Sequence, residues 1–303
     1  MADLRAVRAN EIHVWHGMVA AADRRFAPPA ADVACLSEGE RARCRTFGRR
    51  TDQRRFAAVH AGVRRILADY LGTAAPLIRF GRVPCCRCGD TRHGPPRVDW
   101  PDTDITFSQS YAGDHWLLAI TRGRPVGVDV EVASGADITL LARTCLSPAE
   151  LAYLTAQDRA RRDDIFYTCW TRKEAVLKAC GVGLAVPPRS VDVAPVLRPR
   201  ARVPFACAAG PREWTVEDLA GKQASSRQLA TGTPARWFGA IAQPSAGRSR
   251  ILLREAATAD GRGWRAGTGA DGFPAGATGD SARASAGRRS SSGAPCTARS
   301  RWS

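Results

Sequence analysis

The chain has 303 residues, of which 44% are hydrophobic, so it can form one large domain or two ordinary domains with a buried core. Its 45 basic and 29 acidic residues give a formal charge of +16 and a pI near 10.3, which predicts an anionic partner without choosing between nucleic acid, acidic protein and phosphorylated small molecules. The sequence contains no run of about 18 apolar residues and no secretory signal pattern, which excludes a membrane span and predicts a cytoplasmic protein.

A first block of predicted elements precedes the Gly-Arg-Pro turn at residues 123–125. Apolar residues at helical spacing predict one helix, and strand-like segments follow a loop rich in Cys, Gly and Pro at residues 81–99. The helix is predicted over Ser37–Leu71, and the strands over Ile105–Ser110 and His115–Thr121. We assign residues 1–122 to an N-terminal half.

A second block repeats the order of helix followed by strands and forms a C-terminal half over residues 123–245. Its first strand alternates in polarity. One predicted helix begins at Ser-Pro-Ala-Glu, and a second, longer helix ends at Gly181. The predicted elements are a strand over Pro125–Val132, helices over Ser147–Leu154 and Asp163–Cys180, and strands over Val191–Val193, Trp214–Leu219 and Trp237–Ala242. Two such blocks indicate the α+β class.

The composition changes at residue 246. From there to residue 303 the sequence has ten Gly, eight Ser and ten Arg against four acidic residues, and its apolar residues are too sparse for a core. We therefore predict that residues 246–303 form a disordered tail. This segment carries a net +6, so about a third of the total charge lies outside the two halves.

Two carboxylates stand in the first strand of the C-terminal half. Asp129 and Glu131 are two residues apart in VGVDVEV, so both side chains point to one face of the strand. Such a pair can bind a hard cation such as Mg²⁺, which prefers oxygen ligands. A strand with one solvated face explains the same pattern.

Lysine is rare in this arginine-rich chain, and two of its three lysines lie in one predicted helix. Trp170, Glu174 and Lys178 recur there at a spacing of four and share a face, with Lys173 beside them. A compact ammonium acts as a point charge on phosphate, whereas a guanidinium is a planar fork, so the lysines suit a phosphate site. A solvated Glu–Lys face remains the alternative.

The two segments together resemble the signature of the 4′-phosphopantetheinyl transferases of the type that activates surfactin-like peptide synthetases. GVDVE occupies residues 127–131, and WTRKEAVLKACGVGL occupies residues 170–184. The family carries Gly-Ile/Val-Asp-Ile/Val-Glu and then Trp-Ser/Thr-x-Lys-Glu-Ala/Ser-x-x-Lys-x-x-Gly-x-Gly-Leu, and every fixed position of both motifs is present. The resemblance extends more weakly over residues 37–242.

The resemblance implies the family's α+β fold, in which two similar halves have a pseudo-twofold arrangement and bind coenzyme A and Mg²⁺ between them. It further implies transfer of phosphopantetheine from coenzyme A to a serine of an apo acyl or peptidyl carrier protein, with release of 3′,5′-ADP. The carrier is expected to be acidic and the enzyme monomeric, with no membrane or nucleic-acid partner.

Residue roles follow from the same resemblance. Asp129, Glu131 and Glu174 are the implied metal ligands, Glu174 also helps to deprotonate the serine, and Lys178 stabilises charge on the phosphate. The implied coenzyme-binding residues are Arg43, Arg55, Arg97, Ser110, Tyr111, Lys173 and Lys178.

The chain departs from the family at two coenzyme contacts. The usual Gly-Lys-Pro is Gly94-Pro95-Pro96 here, with Arg97 as the candidate replacement for the lysine. Tyr111 stands where a phosphate-binding histidine is usual, and a phenol cannot become cationic. A catalytically weakened homologue that binds coenzyme A or a carrier protein is therefore one alternative function.

Two further readings stay open. A basic nucleic-acid-binding protein would explain the charge, but the basic helix lacks aromatic residues interleaved with its arginines beyond two phenylalanines that suit a core. Cys85 and Cys88 have zinc-knuckle spacing, yet a structural zinc site needs four ligands, so Cys86 and His93 would have to join them.

Overall fold

The computed structural model describes residues 6–19, 27–91, 94–133, 137–193, 198–206, 210–219 and 236–256. Its helices are α1 (Ala30–Cys35), α2 (Glu38–Arg45), α3 (Arg50–Leu71), α4 (Thr139–Cys145), α5 (Pro148–Thr155) and α6 (Arg159–Cys180). Its strands are β1 (Glu11–Met18), β2 (Arg79–Arg82), β3 (Pro96–Trp100), β4 (Ile105–Ala112), β5 (His115–Arg122), β6 (Gly127–Val132), β7 (Arg200–Pro204), β8 (Glu213–Asp218), β9 (Trp237–Pro244) and β10 (Arg250–Glu255). None of the helices in these ranges is both long and apolar enough to cross a membrane.

Two four-stranded sheets organise the fold. The first has the order β10-β1-β5-β4 and the second the order β6-β9-β8-β7, while β2 and β3 form a separate hairpin. Each sheet is accompanied by a helix of 22 residues, α3 in the first unit and α6 in the second. This confirms the predicted α+β fold with two similar units.

Three main apolar clusters hold the units together. One packs α3 on the first sheet, and another packs α6 on the second. A third lies between the sheets, where Leu117 of β5 meets Val128 and Val130 of β6 and Ile241 of β9. Because successive residues of a strand point to opposite faces, β5 supplies Leu117 to this cluster and Leu118 to the α3 side.

The predicted long helix is interrupted. Ser37 caps α2 by accepting from the backbone N–H of Glu40, and the Glu40 carboxylate accepts the Ser37 N–H in return. The chain leaves the helix at Thr46 and re-enters it at Arg50. Because the spacing of apolar residues is helical on both sides of this short break, the sequence predicted one continuous helix and not the break between α2 and α3.

The prediction of a disordered tail over residues 246–303 is wrong for the first residues of that segment. Residues 250–255 form β10, which pairs in parallel with β1, with Glu11 opposite Arg250 and His16 opposite Glu255. The C-terminal strand thus belongs to the N-terminal sheet, and the boundary at residue 245 does not separate a tail. Residues 257–303 lie outside the described residues, so their predicted disorder stays a prediction.

Other strands also differ from the predictions, because β2, β3 and β7 were not predicted and β3 begins within the segment predicted as a loop at residues 81–99. The segment predicted as a strand over Val191–Val193 buries its two valines in the second core but forms no strand. β1 was not predicted, although its first five residues, 11–15, are all buried. A strand buried on both faces lacks the alternation by which the other strands were found.

Candidate functional site

The two sheets meet where β4 runs beside β6. The Ser108 hydroxyl accepts the backbone N–H of Val128 at 3.1 Å, and two residues later the Ser110 hydroxyl donates to Oδ1 of Asp129 at 2.8 Å. Both serines lie on the same face of β4, as strand alternation requires. They connect the two halves at the strand that carries the GVDVE motif.

Gly127 lets α6 approach this strand closely. A Cβ atom at Gly127 would lie 1.9 Å from the carbonyl oxygen of Ala175 and 2.5 Å from the backbone nitrogen of Ala179. Only glycine leaves room for the helix backbone at this contact. Asp129 stands two residues further along the same face of β6, so the helix brings Glu174 and Lys178 to it.

Asp129 and Lys178 form a buried ion pair. The Lys178 ammonium donates to Oδ1 of Asp129 at 2.7 Å, and both side chains are about 95% buried. The second oxygen of Asp129, Oδ2, and Oε1 of Glu174 are buried as well, and neither has a hydrogen-bond partner within the described residues. Unpaired buried carboxylate oxygens are costly, and the single ammonium of Lys178 does not satisfy both of these carboxylates.

The pKa values of these two carboxyl groups are also displaced from their ordinary values. Burial raises the pKa of Asp129 above its ordinary value. Burial, with the neighbouring charge of Asp129 as the second cause, raises the pKa of Glu174 to about 8, although Lys178 acts in the opposite direction. A divalent cation between these carboxylates would oppose the effect of burial on both pKa values, because it stabilises the charged form of each group.

Glu131 extends the acidic site toward Trp170. The indole N–H donates to Oε1 of Glu131 at 3.0 Å, which fixes the third motif carboxylate to α6. Across the described ranges, no three Asp, Glu, His or Cys side chains form a group that could hold a metal ion as they stand. Asp129 and Glu174 nevertheless offer hard, unpartnered oxygens, the donors that Mg²⁺ prefers, and so fit a metal.

Lys173 does not join this site. Its ammonium pairs with Oε2 of Glu150 at 2.6 Å and also donates to the carbonyl oxygens of Pro188 and Val191. These three acceptors match the three donors of an ammonium group, and the side chain is fully buried. The implied coenzyme contact of Lys173 is therefore corrected to an internal ion pair, because helical spacing turns it away from Glu174.

Glu150 organises the surroundings of that pair. Its carboxylate accepts the N–H groups of Ser147 and Val193, at 2.8 Å each, so it caps α5 and holds the segment after α6. The predicted helix start at Ser147 is thereby confirmed as a capping box. The ion pair then ties this cap to the middle of α6.

A cavity of about 510 Å³ opens in the N-terminal unit between α2, α3 and the β2–β3 hairpin. Among the implied coenzyme residues, Arg43 lines it from α2. The sequence did not single out His60, Arg82 and Gln109, which also line it. Gln109 was detectable in principle, because strand alternation puts it on the same face of β4 as Phe107. His60 and Arg82 come from separate elements.

Arg55 is engaged with acidic neighbours. Its guanidinium bonds Asp52 at 3.1 Å and lies 3.7 Å from Asp114 in the β4–β5 turn, while its Nε is buried without a partner in the described part of the chain. Arg97 is more than half exposed and pairs with Asp99 at 2.6 Å. The structure therefore does not bring Arg97 to the carboxylates around Asp129.

The two residues that depart from the family take structural positions. Tyr111 packs against the apolar cluster of the first unit, on the opposite face of β4 from Ser110. Pro95 lies against Gly181 at the end of α6, where a Cβ would be 2.9 Å from its ring. Gly181 has a φ of 70°, which favours glycine and ends the helix.

The cysteine loop shows no zinc site among the residues described, because no group of three suitable ligands is present there. Cys85 is buried, whereas Cys88 is exposed. His93 lies outside the described residues. The zinc reading thus receives no support from the loop geometry.

Comparison with known proteins agrees with the motif. Residues 125–233 match the 4′-phosphopantetheinyl transferase superfamily. The 4′-phosphopantetheinyl transferase HetI of Nostoc sp. is 29% identical over 179 residues, which cover 58% of this chain and 71% of the relative. The 4′-phosphopantetheinyl transferase Sfp of Bacillus subtilis is 27% identical over 162 residues, covering 53% and 67%. The acidic site on β6 and α6 and these similarities together place residues 125–233 in the 4′-phosphopantetheinyl transferase superfamily.

Proposed function

We propose that this protein transfers the 4′-phosphopantetheine group of coenzyme A to a serine hydroxyl of an apo acyl or peptidyl carrier protein, in a Mg²⁺-dependent reaction that releases 3′,5′-ADP. The observation that carries the proposal is the pair of buried, unpartnered oxygens on Asp129 and Glu174, beside the Lys178 ammonium. Homology to phosphopantetheinyl transferases supports the reaction class.

The reaction forms one bond and breaks one. The serine oxygen attacks the phosphorus that bears pantetheine, the pyrophosphate P–O bond breaks, and 3′,5′-ADP leaves with that oxygen. Glu174 accepts the serine proton, directly or through a water. A carboxylate positioned within reach of the hydroxyl can take up this proton in the transition state.

Asp129 and Glu174 would hold Mg²⁺, with Glu131 as the third candidate, and the ion would neutralise charge on the pyrophosphate. Lys178 is already bonded to Asp129, so its ammonium lies at the site where phosphate charge develops. Ser110 holds Asp129 from β4 and thus orients a metal ligand. This gives the charged residues at the fixed motif positions, except Lys173, a place in the reaction.

The N-terminal unit would bind the coenzyme. Arg43 at the cavity and Arg55 beside the β4–β5 turn offer guanidinium groups, which suit phosphate. Arg55 must exchange its contacts with Asp52 and Asp114 to do so. Tyr111 and Arg97 remain candidate contacts, and neither is required for the chemistry at Glu174.

The test measures whether the acceptor carrier protein gains mass. Apo carrier proteins from fatty-acid, polyketide and nonribosomal-peptide systems are incubated with coenzyme A, Mg²⁺ and the full chain, and intact masses are measured. We expect a phosphopantetheine mass gain on at least one carrier, lost in Glu174→Gln and kept in Glu213→Gln, a partly exposed carboxylate outside the site. No gain on any carrier, beside an active control transferase, overturns the proposal.

Binding without turnover is a distinct outcome. If coenzyme A binds the wild-type chain but no carrier gains mass, the protein is a binding homologue whose chemistry has weakened. Calorimetry with coenzyme A, run beside the mass assay, separates that result from a complete failure of the assignment.

A further inference from the structure

Two histidines of the first sheet face each other ring to ring. His16 of β1 and His115 of β5 lie on adjacent, hydrogen-bonded strands, and Nε2 of His16 is 3.0 Å from Nδ1 of His115. Their ring planes differ by only 13°, and the ring centroids are 5.3 Å apart. Two imidazole nitrogens that face each other at this distance can share either a proton or a metal ion.

Glu255 holds His16 in the state of a metal ligand. It lies opposite His16 on the neighbouring strand β10, and its carboxylate is 3.3 Å from Nδ1 of that ring. A carboxylate only accepts hydrogen bonds, so Nδ1 of the neutral ring carries the proton and Nε2 presents its lone pair to His115. Histidines that bind metals typically donate their second ring N–H to a carboxylate in this way.

The spacing of the two facing nitrogens fits a shared ion. With bonds of about 2.0 to 2.1 Å to Zn²⁺, two imidazole nitrogens lie about 2.9 Å apart at a right angle and about 3.3 Å apart at the tetrahedral angle. The observed 3.0 Å lies within that range. To bind the ion, each ring turns slightly about its Cβ–Cγ bond, and His115 carries its proton on Nε2 instead of Nδ1.

Trp237 of β9 stacks on both rings from the second sheet. Its ring centroid is 4.8 Å from that of His16 and 5.4 Å from that of His115, with interplanar angles of 15° and 28°. The side chain of His16 is 11% exposed, whereas that of Glu255 is 76% exposed. The ring pair is therefore recessed but open to water on the side of Glu255.

We propose that His16 and His115 form a binding site for a divalent transition-metal ion such as Zn²⁺, with Glu255 orienting His16. No group of three protein ligands is present in the described part of the chain, so water completes the coordination. Imidazole suits Zn²⁺, Cu²⁺ and Ni²⁺, whereas Mg²⁺ prefers oxygen, so this site and the motif carboxylates select different ions.

The consequence of such a site is structural. The ion would link β1 to β5 beneath an indole that belongs to β9 of the other sheet, so we expect it to stabilise the junction of the two sheets. This site does not depend on the transfer reaction, because none of its three polar residues belongs to the carboxylate site on β6 and α6.

The test titrates the full chain, without a polyhistidine tag, with Zn²⁺ alone and with Zn²⁺ in excess Mg²⁺, by calorimetry. The variants are His16→Gln, His115→Gln and Glu255→Gln. The control is His60→Gln, which changes a mostly buried histidine of α3 outside the cluster. Glutamine retains a hydrogen-bonding amide at each position, and circular dichroism checks that every variant is folded.

We expect the wild type and His60→Gln to bind one Zn²⁺ at this site, with or without Mg²⁺. His16→Gln and His115→Gln should each weaken that binding at least about tenfold, and Glu255→Gln about tenfold, because it removes the partner of a metal ligand. Zn²⁺ should raise the melting temperature of the wild type more than that of either histidine variant. Zn²⁺ binding that both histidine variants retain at full affinity overturns the proposal, and so does a wild type that binds no Zn²⁺.

Cu²⁺ supplies a local readout. It should bind more tightly than Zn²⁺ and quench the emission of the adjacent indole of Trp237. Part of the quenching seen in the wild type should therefore be lost in Trp237→Phe and in His115→Gln. Quenching that is the same in the wild type and in both variants places the ion elsewhere and overturns the proposal.

Discussion

Gly127 of β6 lies directly against Ala175 of α6, with no room for a side chain between the strand and the helix backbone. This contact sets the distance between the two motifs of the chain. Asp129 meets Lys178 because the helix can come this close, and the separation of the two elements follows from one missing Cβ.

Gly127→Ala should therefore damage both folding and function. The new methyl group meets backbone atoms rather than a flexible side chain, so α6 must shift, at a cost of about 3 kcal/mol or more. We expect a lower melting temperature and loss of carrier modification. Gly48→Ala, where a Cβ meets nothing within 4 Å, is the matched control and should retain both properties.

The Asp129–Lys178 pair can be tested with a double-variant cycle. Lys178→Met leaves the buried Asp129 without its counter-ion, which should cost about 3 to 5 kcal/mol of unfolding free energy in urea. Lys178→Met/Asp129→Asn should recover most of that stability, because the carboxylate at position 129 is no longer buried without its counter-ion. Neither variant should modify a carrier. A double variant no more stable than Lys178→Met would contradict the buried pair.

Substitution of Lys173 should affect stability but not the KM for coenzyme A, in contrast to Lys178, although both residues lie on α6. Lys173→Met removes the partner of the fully buried Glu150, so we expect a loss of unfolding free energy of about 3 kcal/mol or more. The KM for coenzyme A, measured where the variant is still folded, should not change. A rise in that KM with unchanged stability would place the ammonium at the coenzyme instead.

Tyr111→His should lower the KM for coenzyme A. Tyr111 lies on the face of β4 that presents Phe107 and Gln109 to the cavity, and an imidazole there can carry a positive charge whereas a phenol cannot. Tyr111→Phe is the control, since it removes the hydroxyl without adding charge. An unchanged or higher KM for the histidine variant would count against this placement of the residue.

The Glu40 carboxylate should make the stability of the fold sensitive to acid. Burial alone would raise its pKa, but hydrogen bonds from His60 and from the Ser37 N–H, together with the charge of Arg64, lower it from 4.5 to about 2. Because the folded-state pKa is depressed, the stability it contributes is complete above the unfolded pKa and is lost as pH falls toward 2.

Between about pH 6 and pH 3.5 this contribution should fall by about 1.4 kcal/mol. Urea unfolding of the wild type and of Glu40→Gln at both pH values measures it, since the variant lacks the titrating group. The stability difference between the two proteins should shrink at the lower pH. A difference that stays constant would show that Glu40 is not held as an anion by Arg64 and His60.

The elements with clear periodicity and end signals were predictable, whereas helices α1 and α4 and strands β1, β2, β3 and β7 were not predicted. The helix predicted over Asp163–Cys180 forms α6, one turn longer at its start, and Gly181 ends it as predicted. The strands predicted near Ile105 and His115 form β4 and β5. These elements depend on periodicity and on end signals within about 20 residues, which a single sequence displays directly.

Contacts between distant segments were not predictable in the same way. β10 looked like the start of a polar tail because its strand character depends on β1, some 240 residues earlier. The cavity residues His60, Arg82 and Gln109 come from three elements and carry no common pattern. Pairing of this kind is decided by the packing of the whole chain.

By itself, the sequence determined the chemistry of the site: two carboxylates on one strand face, a third on a helix, and lysines in a chain that otherwise uses arginine. Only the tertiary structure decided which lysine serves it. Lys173 and Lys178 are equivalent by residue type, but Lys173 meets the buried Glu150 and Lys178 meets Asp129. The physical reason is that a buried ammonium goes to whichever carboxylate the fold places within hydrogen-bond distance, and that placement depends on how α6 packs against α5 and β6.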